Sequence, residues 1–278
     1  MATKKAPAKE MSFLDHLEEL RWRILKAIIA VVVGAIVCFA FSGRILDFLT
    51  LPVHRIEPQP KLIFLSPTGM FMVRITLSLA CGFILALPVV VYQIYAFIVP
   101  GLYTHERRHV VPLIVLTFFC FLLGSSFAYF LIIPFGLRFL LGLATPDIQP
   151  TLDIGRYIDF VTRLMLAFGL VFEMPVLAMF LTRIGLLNPR FLRRIRRYAI
   201  VIIAIVSAIL TPPDAFTQIM MIIPLVALYE ISILLSTMIY RRKKEREAKE
   251  EEEWEKDDSE DTKRDGDDDD EDEEDDGN

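Results

Sequence analysis

The chain has 278 residues, 54% hydrophobic and 23% charged, and its mean hydropathy of +0.47 is too apolar for an ordinary soluble domain of this length. Its formal charge of -5 is unevenly spread: residues 245–278 hold 22 acidic and 5 basic residues, leaving 13 acidic against 25 basic upstream. The three cysteines, Cys38, Cys81 and Cys120, lie inside apolar runs without CxxC spacing, which argues against a disulfide framework or thiolate metal site and reads as small core hydrophobes.

In chain order, a segment at about 12–22 reads as an amphipathic helix on the membrane surface, with Leu17 and Leu20 toward lipid and Glu18, Glu19 and Arg21 toward water. The first apolar run, Ala27–Phe41, is short for a span and is extended by Ile24, Leu25 and a snorkelling Lys26. Asp15, Glu18 and Glu19 ahead of it, with many later spans, argue for a permanent helix and against a cleaved leader. Further runs occupy Met70–Ile94, Val110–Ile133, Tyr157–Leu181, Tyr198–Leu210 and Phe216–Tyr240, giving six spans. Pro88, Pro134, Pro175 and Pro224 lie in or beside them, tolerable where neighbouring helices satisfy the freed carbonyls. No internal repeat supports an inverted-repeat transporter.

Sidedness follows from the basic residues. Lys4, Lys5, Lys9, Arg21, Arg23 and Lys26, then Arg107 and Arg108, then six arginines between 183 and 197, then Arg241–Lys244 fall on one side. The other side offers only Arg44, Arg55, Lys61, Arg138 and Arg156. Both termini are therefore expected in the cytoplasm. The fifth run has 13 residues and rises only about 20 Å as a helix against a hydrocarbon core of about 30 Å. It turns at once through Thr211, Pro212, Pro213 and Asp214 into the sixth, so the last hairpin is expected to sit shallow and thin the bilayer. Residues 1–244 read as one transmembrane domain and 245–278 as a disordered, solvated acidic tail.

His105, Glu106, Arg107, Arg108 and His109 spell H-E-x-x-H, the zinc-protease signature. They sit in a short loop between Pro100 and Pro112, and a third ligand is hard to find, since the other histidines are His16 and, on the opposite side, His54. Glu173, in the middle of the fourth run and two residues before Pro175, is a costly intramembrane carboxylate and hence a candidate polar site. Its structural alternative is a protonated glutamate bonded to a neighbouring helix, for instance to Gln218. Asp214 suits an N-cap for the last helix, Asp159 and Arg163 a pair four residues apart. Glu230 has no evident partner, and no GxxxxGK[ST] nucleotide loop is present.

Four ordered motifs bear on identity: H-L-E-E-L-R at His16–Arg21, F-I-V-P-G-L-Y-T-H-E-R-R at Phe97–Arg108, A-F-G-L-V-F-E-M-P at Ala167–Pro175, and L-T-P-P-D at Leu210–Asp214. Through them the chain, from Met11 to about Arg242, resembles the TatC family, the multi-spanning subunit of the twin-arginine, Sec-independent protein translocase. The resemblance implies an all-α, cupped membrane protein with short fifth and sixth spans, located in the bacterial inner membrane. It implies a non-enzymatic receptor, without cofactor and without nucleic acid, for signal peptides bearing two consecutive arginines on folded precursors. It also implies single-span TatA-type and TatB-type partners, assembly with further copies of itself, contact with membrane lipids, and the proton motive force as driver. Glu106 would be the primary arginine contact, with Glu19 and Arg21 shaping the same patch and His105 and Arg107 flanking it; Glu18 fits the family pattern less well. Asp214 and Pro67 would serve structure or partner contact. A carboxylate accepts two parallel N–H bonds from the guanidinium fork, which a point-like ammonium cannot supply, so such a site separates Arg-Arg from Lys-Lys without any enzymatic step.

Overall fold

The computed structural model of the chain describes residues 13–56, 59–98, 110–143, 150–211 and 214–268. The first helix, α1 (Phe13–Ala40), runs 28 residues without interruption. The surface helix expected at 12–22 is therefore not a separate element. No Gly or Pro stands between Phe13 and Gly34 to end it. The inward face of α1 carries His16, Glu19, Arg23, Ala27, Val31, Gly34 and Cys38 at helical spacing, and Ile28, Ile29, Val32 and Ile36 stay exposed as a lipid-facing surface.

After α1 the chain makes α2 (Ser42–His54), an amphipathic helix where the sequence reading placed only a loop. Its Pro52 lacks the N–H that Phe48 O would accept, and the Tyr129 hydroxyl donates to that carbonyl at 2.6 Å. The Tyr157 hydroxyl donates to the next carbonyl, Leu49 O, at 2.7 Å. Beyond α2, β1 (Lys61–Ile63) pairs in parallel with β2 (Thr151–Asp153), Leu62 opposite Leu152. This two-stranded patch is the departure from an all-helical chain among the described residues.

The long helix α3 (Gly69–Ile98) returns along α1. Gly34 and Gly82 make the seam, since a Cβ on Gly34 would lie 2.6 Å from Gly82 O and one on Gly82 2.3 Å from Ala35 N. Backbones meet there with nothing between them, the small-residue packing that joins helices where lipid is the solvent. Next come α4 (Val110–Phe127), a π-helical stretch at Ala128–Ile132 and α5 (Ile133–Gly142), with Pro134 in the first turn of α5. The fourth span is also broken, into α6 (Ile154–Phe172) and α7 (Met174–Arg183), with Glu173 at the joint. Finally α8 (Pro189–Leu210) and α9 (Ala215–Asp268) form a hairpin.

Five stretches are long and apolar enough to cross a membrane: His16–Ala40, Gly69–Phe97, Val111–Gly142, Ile154–Arg183 and Ala215–Arg246. The expected short fifth run is the C-terminal part of α8, whose N-terminal part is taken up by Arg190, Arg193, Arg194, Arg196 and Arg197. A short sixth span is not found, because the apolar stretch from Ala215 continues unbroken into a 54-residue helix. The acidic segment expected as a disordered tail is helical through Asp268. Glu245 and Lys249 stand four residues apart, a spacing that favours helix over coil.

Three apolar clusters hold the bundle. Leu46, Leu49 and Val53 of α2 pack with Leu77, Ile133, Ile158 and Val161 near one end. Phe168, Ile203, Met221 and Leu225 join α6, α8 and α9, and Leu87, Val91, Tyr95 and Phe121 join α3 to α4.

Candidate functional site at the basic end of the bundle

Helix directions alternate, so the start of α1, the end of α3, the end of α7, the start of α8 and the basic stretch Arg241–Lys244 of α9 share one end of the bundle. At that end the His16 ring stacks on Phe97, with centroids 4.4 Å apart and planes 16° from parallel. One turn further along α1, Glu19 is held by Arg23: the Arg23 Nε donates to Glu19 Oε1 at 2.9 Å and its Nη2 donates to the same oxygen. The other oxygen, Glu19 Oε2, is buried without a hydrogen-bond partner, and His16 Nδ1 stands 4.0 Å from it. Glu19 thus has one satisfied oxygen and one open, while Glu18 and Arg21 are exposed.

Glu106, His105 and Arg107 lie outside the described residues, as do Arg108 and His109. What is described is their point of departure: α3 ends at Ile98, beside His16 and one turn from Glu19. Among the described residues no group of three or more His, Cys, Asp or Glu could hold a metal ion. His54 hydrogen-bonds Gln59 at 2.7 Å at the other end of the bundle.

Glu173 occupies a joint made by sequence. Its N–H bonds back to Leu170 O and Val171 O, closing α6, and Pro175 starts α7. The side chain is 6% exposed, and both carboxylate oxygens lack a hydrogen-bond partner. Thr117 on α4 stands beside it, its own hydroxyl equally unpartnered, and Tyr95 of α3 and Cys120 of α4 border the same spot. The suggested Glu173–Gln218 bond is absent: Gln218 Nε2 donates to Ala204 O at 3.3 Å, bridging α9 to α8.

Asp214 is the N-cap of α9, with Thr217 N donating to Oδ1 at 2.7 Å and the Thr217 hydroxyl donating to Oδ2. Pro67 is exposed in the turn into α3, between the bonded hydroxyls of Ser66 and Thr68. Asp159 and Arg163 pair at 2.8 Å, as their spacing predicts. The partner of Glu230 escaped the sequence reading: it is Arg196, whose Nε lies 2.6 Å from Glu230 Oε1 across the α8–α9 hairpin. The apolar run of α9 and the arginine repeat of α8 each pointed to these residues, but their pairing required the hairpin register.

Stacked apolar helices, a basic end carrying a half-satisfied carboxylate, and a buried carboxylate at a mid-span joint define a multi-spanning membrane protein with polar sites at one end and within its spans. The family model described as Sec-independent protein translocase protein (TatC) matches residues 15–224. The chain belongs to this TatC family. It is 43% identical over 234 residues to the Sec-independent protein translocase protein TatC of Aquifex aeolicus, covering 84% of this chain and 97% of that one. It is likewise 43% identical over 223 residues to the TatC of Desulforapulum autotrophicum, covering 80% and 83%. A crystal structure of a twin-arginine translocase receptor, TatC, superposes with a TM-score of 0.75 at 43% identity, covering 81% of this chain and 99% of that one. Membership in a protein translocase family gives no support to a zinc-protease reading of His105–His109.

Proposed function

We propose that the chain is the signal-peptide receptor core of a twin-arginine translocase, gripping the paired arginines at Glu19 and Glu106 on its basic end. The observation that carries the reading is the open Oε2 of Glu19, buried at the membrane boundary and one turn from the helix end that leads to Glu106. An acceptor in a low-dielectric site with no donor of its own gains most from an incoming guanidinium. Arg23 is the positioning residue in this reading: it holds Oε1 and leaves Oε2 unpaired. His105, Arg107 and Arg21 border the patch in this reading.

The distribution of basic residues supports six crossings, counting the short α8, with both termini in the cytoplasm of a bacterial inner membrane. TatA-type and TatB-type single-span subunits, further copies of this chain, and drive by the proton motive force follow from the family's role. Glu173 polarises the site that accepts the inserted peptide or a partner helix, and Asp214 and Pro67 lie at partner-facing turns. Photo-cross-linkers at positions 19 and 106, in native membranes, test the core of this. Adducts with an Arg-Arg signal peptide are expected from both positions, lost when the pair is Lys-Lys. Equal labelling by the two peptides, or none from either position, overturns the reading.

A further inference from the structure

The hairpin of α8 and α9 opens, beyond Thr237, into a cleft of about 480 Å³ at the basic end of the bundle. Arg190 and Arg193 line it from the first turns of α8, Arg241 and Lys244 from α9, with Glu245 as the single carboxylate. Among the described residues the side chains of Arg190, Arg241 and Lys244 have no hydrogen bond or ion pair, and the guanidinium of Arg193 has only a 3.3 Å bond to Thr237 Oγ1. Four cations therefore converge on one concavity with none of them in an ion pair, at the start of a 22-residue helix whose dipole adds positive potential. A second depression of about 340 Å³ adjoins it and shares Asn188, Tyr240 and Lys244.

Position identifies the source of the anion. The cleft begins where the apolar stretch of α9 ends, at Tyr240, and below it Phe191, Leu234 and Met238 are exposed toward the lipid. Beyond Glu245 the acidic residues of the chain's end follow α9, which stays helical for 24 residues past Lys244, about 36 Å. We infer that the cleft binds the phosphate of an anionic phospholipid, with the headgroup among Arg190, Arg193, Arg241 and Lys244 and the acyl chains along Phe191 and Met238. The second depression provides room for a further phosphate, which favours a diphosphate lipid over a monophosphate one. This site is separate from the Glu19 patch, and the inference does not depend on how the signal peptide binds.

Native mass spectrometry of the full chain, titrated with phosphatidylglycerol, cardiolipin or phosphatidylcholine, reads the occupancy. Anionic lipid should bind at least about 10-fold more tightly than phosphatidylcholine, and R190Q/R241Q/K244Q should abolish that preference. R194Q/R197Q, which removes two exposed α8 cations outside the cleft, should leave it intact. R190K/R241K, which keeps charge and fold, should retain most binding and guards against misfolding of the triple variant. Equal loss in R194Q/R197Q, or an unchanged preference in a folded triple variant, overturns the site. Displacement of bound lipid by millimolar inorganic phosphate would overturn the assignment to lipid.

Discussion

Tyr129 and Tyr157 show how single hydroxyls keep an irregular helix in an apolar setting. Phe48 O has no helical donor because residue 52 is proline, so the Tyr129 hydroxyl is its sole replacement, whereas Leu49 O still faces the N–H of Val53. Tyr129→Phe should therefore cost about 1–3 kcal/mol, the penalty for an orphaned buried acceptor, and Tyr157→Phe about 1 kcal/mol or less. Thermal unfolding of the two variants in detergent should rank them in that order; the reverse ranking would mean that Pro52 leaves no carbonyl in need. At Glu19, substitution by Gln keeps the shape and removes the charge. Both side chains of the Arg23 pair are only 21% exposed, so weakening it costs about 1–3 kcal/mol of stability, while losing a charge-assisted guanidinium contact of about 1.5–3 kcal/mol weakens Arg-Arg peptide binding roughly 10- to 100-fold. Glu18→Gln, on the exposed side, should change neither. Equilibrium binding of a labelled signal peptide to the three proteins distinguishes these cases.

At the scale of elements, the α1–α3 seam makes the sharpest demand on sequence. A methyl group on Gly82 would meet Ala35 N at 2.3 Å, and backbone cannot rotate aside, so Gly82→Ala should force the helices apart and cost about 1–3 kcal/mol. Gly43→Ala, where no atom lies within 4 Å, should be silent or slightly stabilising. Comparing the two melting temperatures checks this directly. The spans were legible because lipid admits few solutions: an apolar run must be a helix, and its ends are marked by charge. The shortened fifth run was legible by the same logic, since five arginines leave α8 too little apolar length. By contrast, α2, the β1–β2 pair and the π-helical stretch were not. The first two lie in or beside connections, where no bilayer dictates the pattern and long-range partners such as Tyr129 decide the conformation, while the π-helical stretch is a change of turn inside the third span that an apolar run does not mark. The Arg196–Glu230 pair was hidden for a related reason, as its members stand 34 positions apart and only the hairpin register brings them together.

For the whole molecule, no side chain from Thr237 to Arg246 is buried, and α9 continues to Asp268. Removing residues 251–278 should thus leave the unfolding midpoint of the bundle within about 1 °C, while taking away much of the acidic charge that offsets a basic body. A larger loss would mean that the acidic end packs back on the helices. The glycine seam carries a mechanical corollary for the same body. Because α1 and α3 touch backbone to backbone near mid-span, with little cushion to compress, the two rods behave as a splint joined at Gly34 and Gly82. A tilt imposed on α1 is then carried by α3 as well, instead of being absorbed by side chains sliding between them.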